Sequence, residues 1–176
     1  MPRALLALGS NLGDRGRLLR SAVEALRAEE QVVVEGVSPV VVTQAVGGPD
    51  GQPDFLNGVV RIRTSLPPQG LLELCQRIEA EHDRVRLERW GPRTLDLDII
   101  DYDGIVLDDP ALTLPHPRAA GRAFVLAPWA MLEPEAVLAG RRVSELAREA
   151  EDLGGLDPRA LRLEDLGAET GGGARS

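Results

Sequence analysis

The sequence holds a single cysteine, Cys75, in 176 residues. A lone thiol excludes an internal disulfide and a cysteine-based zinc site. It sits among Leu71, Leu72, Leu74 and Ile78, which marks it as a buried structural thiol rather than a nucleophile. Long apolar runs are missing too. None approaches the ~20 residues that cross a bilayer, and no basic stretch leading into an apolar one marks a secretory signal. These absences point to the cytoplasm and away from membranes. Basic charge is in deficit, since 28 acids against 20 bases give a formal net charge of −8. That balance argues against general nucleic-acid binding. Aromatic residues make up only 3%, so a large one placed in a polar loop needs a reason.

What is present suits one globular domain: an apolar fraction of 43% over a length that can bury a proper core. We expect the domain to span residues 1–166. The glycine-rich end, residues 167–176, reads as a disordered tail. Charge is unevenly spread. Acids prevail from Gly140 onward, whereas Arg84 to Arg93 is locally basic. A basic patch on an acidic chain suggests a small anionic ligand rather than a long polyanion.

In chain order, Ala4 to Leu8 is an apolar run that reads as a buried strand, ending at the turn cluster Gly9-Ser10-Asn11. Asp14 can cap a helix bearing Leu18, Leu19, Ala22, Val23 and Leu26 at helical spacing. Val32 to Val42 is β-branched and reads as a strand made irregular by Ser38-Pro39. Thr43 to Asp54 is a loop, and Phe55 to Thr64 alternates as a strand. Pro67 and Pro68 open a helix through about Glu81. A loop from His82 to Arg93 precedes a strand over Asp96 to Ile100. Asp103-Gly104 predicts a hairpin returning through Leu107. Helices follow over Arg122 to Leu132 and Ser144 to Glu151. Strand, helix, strand, strand, helix, strand is the α+β ferredoxin-like order, βαββαβ, here with an added hairpin and C-terminal helices. Two helices would cover one face of a mainly antiparallel sheet and leave the other free for a ligand.

The chemistry concentrates in RVRLERWGPRTLDLDIIDY, from Arg84 to Tyr102. Leu95-Asp96-Leu97-Asp98-Ile99 has period two, so Asp96 and Asp98 project from one face, about 7 Å apart at roughly 3.3 Å per residue. Paired carboxylates beside Arg84, Arg86, Arg89 and Arg93 suit a polyphosphate and its magnesium. The carboxylates hold the hard cation and the guanidinium groups take phosphate oxygens. The plain alternative is a solvated face of balanced charges, against which a central-looking strand and Trp90 both argue. Trp90 can stack on a heterocycle or a guanidinium. His116 lies between prolines in LPHPR, near Arg118 and Arg122, and suits either a structural role or a phosphate contact. Gln76 and Glu79 share a helix face and could be a solvent-facing pair or a nucleotide contact. GSNLGD, residues 9–14, lacks the marks of a P-loop or dinucleotide fingerprint and reads as a tight turn. His82 takes no functional role, and Asp101, Asp103, Asp108 and Asp109 read as turn or solvated residues.

Gly9-Ser10-Asn11, the run from Gln52 to Asn57, the run from Arg89 to Asp98, and Leu114-Pro115-His116-Pro117 occur together in order. In this the chain resembles 6-hydroxymethyl-7,8-dihydropterin pyrophosphokinase, a folate-pathway family, from about Ala4 to Met131. The resemblance implies transfer of the pyrophosphoryl group of ATP to the hydroxymethyl oxygen of the reduced pterin, with AMP released. It implies that Asp96 and Asp98 hold two magnesium ions, and that Arg84, Arg86, Arg93, His116 and Arg122 meet the phosphates. Gln76, Glu79, Ile99 and Thr113 fall where the family lines its nucleotide site. Phe55 and Phe124 would sandwich the pterin, Asn57 would read its edge, Thr43 would touch it and Trp90 would close over it. The chain departs from the family at Gln44-Ala45, at Phe55 in place of a frequent tyrosine, and at Ala111 where some members carry arginine. The expected partners are these small molecules alone, with the chain acting as a monomer and without the fused neighbours some members carry. Two other readings stand beside this one: another magnesium-dependent phosphate enzyme on the same fold, and a binding module without turnover.

Overall fold

The computed structural model describes residues 1–10, 15–43, 54–87 and 95–164. The chain opens with β1 (Arg3–Ser10) and α1 (Arg15–Arg27), then β2 (Val32–Val37), β3 (Val40–Thr43) and β4 (Phe55–Thr64). A long helix, α2 (Pro68–Leu87), leads to β5 (Asp96–Tyr102). Beyond it come β6 (Leu107–Asp109), β7 (Leu112–Leu114), α3 (Ala123–Leu132), β8 (Val137–Leu138) and β9 (Arg141–Arg142). The last elements are α4 (Val143–Glu149) and β10 (Leu156–Leu161).

One sheet positions everything else. Its order is β10-β3-β4-β1-β5 with β2 also on β4, and all these pairs are antiparallel. β2 lies against residues 60–64 of β4 and β3 against residues 55–57. The two therefore act as one strand broken at Ser38-Pro39, because proline has no N–H for the ladder. Ser38 repairs the break. Its amide donates to the Val59 carbonyl at 2.9 Å, and its Oγ accepts the Val59 N–H at 2.9 Å.

Period-two alternation sorts the strand side chains between two faces. Leu6, Leu8, Val60, Ile62, Leu97 and Ile99 meet Leu19, Leu26, Leu71 and Ile78 of α1 and α2 in the main core. Each such side chain, fully buried, stabilises the fold by roughly 1.5–3 kcal/mol. Cys75 lies in this layer, and burial pushes its thiol up to about 12, which leaves it inert at neutral pH. On the opposite face, Leu5, Val59 and Ile100 meet Val125, Leu126 and Trp129 of α3 and Val143 and Ala147 of α4. That face was expected to stay free, and the expectation holds for only one end of it. The reason is α3 itself, which is apolar nearly all round and needs cover on more than one side.

Three further expectations are corrected. α2 runs to Leu87, so residues 82–87 are helical and not loop. Nothing in that stretch breaks a helix before Gly91-Pro92. Asp103-Gly104 does turn, with φ of 53° and 72°, and Ile105 donates to the Tyr102 carbonyl at 3.0 Å. The chain does not return along β5, however, and the added hairpin is β6 on β7. The Ile100 carbonyl is taken by the His116 N–H at 2.8 Å instead. Apart from these, the acidic C-terminal stretch, for which the sequence carries no motif, supplies β10. Ala160 and Leu161 face Val41 and Val40, and Leu156 faces Thr43. The Gly9-Ser10 pair also belongs to β1 rather than to a turn. Asp14, the loop over residues 44–53 and the tail at 167–176 lie outside the described residues.

Candidate functional site

Strand register builds the floor of the site. Gly9 faces Asn57 on one side and Asp96 on the other, Ala7 faces Asp98, and Thr43 faces Phe55. Leu97 and Ile99 point into the core, so Asp96 and Asp98 point the other way, as their spacing predicts. Asp96 is half-buried and Asp98 exposed. Phe124 and Arg122 from the start of α3, with His116, form the opposing wall of a cavity of about 330 Å³. That volume lies within the range of small-ligand pockets.

Asn57 is 6% exposed, and its Nδ2 donates to Thr43 Oγ1 at 2.9 Å. Its Oδ1 lies over Gly9, where an added Cβ would sit only 2.8 Å away. The amide is thus held on the floor of the cavity that it lines. The Arg122 guanidinium carbon stands 5.4 Å from the centre of the Phe124 ring, a cation–π distance that orients both. Phe55 and Phe124 both line the cavity, so two aromatic rings stand ready for a flat ligand.

His116 follows a cis Leu114-Pro115 bond. Its Nδ1 accepts the Arg118 N–H at 3.2 Å, which places the proton of the neutral ring on Nε2. Burial pulls its pKa below the usual histidine value; Asp98 opposes this, while Arg122 and Arg118 add to it. At neutral pH His116 is a neutral donor through Nε2, suited to an anionic oxygen.

The cavity brings together Thr43, Phe55, Asn57, Asp96, Asp98, His116, Arg122 and Phe124 of the residues expected from sequence. Gln76 and Glu79 lie outside it on α2. Gln76 is exposed, while Glu79 Oε2 accepts the Leu97 N–H at 2.8 Å, between the two aspartates. Ile99 is buried in the core and its neighbour Ile100 lines the cavity in its place. Thr113 is half-buried on β7, away from the cavity. Arg84 and Arg86 sit on the last turns of α2. Trp90 and Arg93 lie outside the described residues. His82 is structural, bound to the Ile78 carbonyl and Ser21. Asp101 is half-buried, and burial raises its carboxyl above the usual range. Sequence reasoning missed Asp152 and Gly155, which also line the cavity; no local pattern marks them.

Among the described residues no group of three or more His, Cys, Asp or Glu gathers for a metal. The donors at hand are the paired carboxylates of Asp96 and Asp98. That set fits magnesium, which keeps several waters and takes its remaining oxygens from substrate phosphates.

The chain also matches known proteins. The family model described as 7,8-dihydro-6-hydroxymethylpterin-pyrophosphokinase matches residues 5–134. A Methylorubrum extorquens protein named 2-amino-4-hydroxy-6-hydroxymethyldihydropteridine pyrophosphokinase is 45% identical over 161 residues, covering 92% of this chain and 98% of that one. The Bacillus subtilis protein of the same name is 50% identical over 127 residues, or 72% of this chain and 75% of that protein. Among solved structures, wild-type HPPK-DHPS of Plasmodium falciparum with SDX-DHP superposes with a TM-score of 0.61 at 13% identity. The match covers 85% of this chain and 43% of that one; this chain spans less than half of the larger protein, and the likeness speaks to the fold alone.

Proposed function

This chain belongs to the 7,8-dihydro-6-hydroxymethylpterin-pyrophosphokinase family, and we propose that it transfers the pyrophosphoryl group of ATP to 6-hydroxymethyl-7,8-dihydropterin in folate biosynthesis. The hydroxymethyl oxygen attacks the β-phosphorus, the bond from that phosphorus to the α,β-bridging oxygen breaks, and AMP leaves. The observation that carries this reading is one cavity with two chemistries: two phenyl rings and the Asn57 amide beside paired carboxylates. A flat heterocycle with a hydrogen-bonding edge fits the first, and a metal triphosphate fits the second.

Phe55 and Phe124 stack on the pterin, Asn57 reads its edge, and Thr43, beside it in the cavity, holds Asn57 and touches the pterin. Asp96 and Asp98 hold the magnesium, two ions by the family resemblance. Bound there, magnesium neutralises charge on the triphosphate and orients it. His116 donates through Nε2 and Arg122 through its guanidinium to phosphate oxygens. Arg84, Arg86 and Arg93 add charge from the far side, and Trp90 closes over the pterin. Gln76, Glu79, Ile99 and Thr113 serve the nucleotide from outside the cavity, Glu79 by fixing the β5 backbone and Ile99 through its main chain. Little covalent chemistry falls to the protein; positioning and charge stabilisation do most of the catalysis.

The sheet order β5-β1-β4 followed by the β2/β3 strand, with α1 and α2 on one face, supports a ferredoxin-like α+β fold over a single domain at residues 1–166. We place the enzyme in the cytoplasm as a monomer that acts on small molecules. Pterin fluorescence, titrated with the protein, magnesium and a non-hydrolysable ATP analogue, tests the cavity assignment. Saturable binding that Asn57→Leu weakens by about tenfold or more is the expected result. Equal binding by both proteins would place the pterin elsewhere.

A further inference from the structure

The cavity has a wall that lies beyond the stretch that the family model matches. The family match ends at residue 134, yet Asp152 and Gly155 line the same cavity as Phe124 and Arg122. They come from a 3-10 turn over Glu151–Gly155. The chain then enters β10, where Leu156 faces Thr43, itself a cavity residue. The C-terminal segment is therefore fastened to the sheet directly beside the site.

Asp152 does more than fill space. Its Oδ1 accepts the Ala123 N–H at 2.8 Å, across 29 positions of sequence. Ala123 is the first residue of α3 and fully buried. The first amides of a helix lack intrahelical acceptors and are normally served by the N-cap side chain. Here the N-cap is Arg122, which makes no side-chain cap bond. Arginine has no acceptor to offer, and its guanidinium is turned to Phe124 instead. A distant carboxylate thus supplies the acceptor that the local sequence withholds. The two residues flanking the capped amide, Arg122 and Phe124, both line the cavity, as does Val125 in the same turn.

We propose that Asp152 is a positioning residue for the pterin: it holds the first turn of α3 so that Phe124 faces the pterin, with Arg122 beside it turned to the phosphates. This rests on the pterin reading of the cavity. Because the acceptor is what matters, Asp152→Asn, which keeps an oxygen, should behave differently from Asp152→Ala, which does not.

Steady-state kinetics on the full chain, with pterin and ATP varied separately, test the idea alongside thermal melts. Asp152→Ala should raise KM for the pterin about tenfold, the size of one charge-assisted hydrogen bond. KM for ATP should rise less, because Asp96, Asp98 and His116 still meet the triphosphate when Arg122 shifts, and Asp152→Asn should recover most of the pterin affinity. An unchanged pterin KM in Asp152→Ala would overturn the proposal. So would equal rises for both substrates that track a falling Tm, or an asparagine variant as impaired as the alanine one. A wild-type protein that does not turn over the pterin would instead overturn the reading on which the proposal rests.

Discussion

Replacing Gly9 with alanine would place a methyl group 2.8 Å from Asn57 Oδ1. The obstacle is the end of a side chain, so the fold should survive while Asn57 swings off the floor. We expect Gly9→Ala to raise KM for the pterin several-fold with little change in Tm, read from kinetics and melting together. Asp96→Ala and Asp98→Ala should each lower turnover by about 10³-fold or more, since charge stabilisation carries this kind of transfer, with circular dichroism unchanged. An unaltered rate in either variant would remove the metal assignment. At this scale much of the site was legible. Period two placed Asp96 and Asp98 on one face, and the family resemblance pointed to Phe55, Asn57, His116 and Phe124. Gly9 was read as a turn residue because its value lies in what it leaves room for, which depends on a neighbour 48 positions away. Asp152 gave no signal at all, because it acts on an amide 29 positions earlier.

α3 shows how an element is held in register with the site it serves. Its N-terminal end faces the cavity, and its other end is clamped to β4. Arg61 Nε and Nη2 donate to Glu133 at 2.7 and 2.6 Å, and Trp129 Nε1 donates to the same carboxylate at 2.9 Å. Arg61 is itself buried. Glu133→Ala strands that guanidinium, which typically costs about 3–5 kcal/mol, so a large fall in the urea midpoint is expected. A fall no greater than for an exposed pair such as Arg141 and Glu149 would show that the clamp does not hold α3. Helix periodicity revealed α3 and α4 but not what they cover, because a nearly all-apolar helix has no face that names its partner. The end of α2 was misread for a related reason: a run of charges looks like loop, although arginine, glutamate and leucine propagate a helix well. The hairpin after β5 was half legible, since its turn residues are correct but strand pairing is decided by tertiary competition.

Across the whole molecule the basic side chains are all arginine, 20 of them, so none titrates in any ordinary pH range. Acids and histidines therefore set the response to pH. Arg61 and Trp129 hold the Glu133 carboxyl below the usual range, so the unfolded state binds the proton more tightly. Its contribution is complete above about pH 4.5 and is lost as pH falls through the lower folded value. His116 has the same sign, because burial lowers its pKa; stability should begin to decline below about pH 6.5. Asp101 opposes them, its carboxyl being raised by burial, so it favours the fold on the acid side. A Tm profile should fall from pH 6.5 toward pH 4, and Glu133→Gln should flatten its lower part. The C-terminal segment belongs to this scale too. Its strand closes the sheet edge beside Thr43, which no composition or motif could have announced. Phosphorus NMR of the protein with ATP, magnesium and 6-hydroxymethyl-7,8-dihydropterin tests the proposed reaction most directly. AMP and a new pyrophosphate ester should appear only when the pterin is present; ADP or free phosphate formed without it would contradict a pyrophosphokinase.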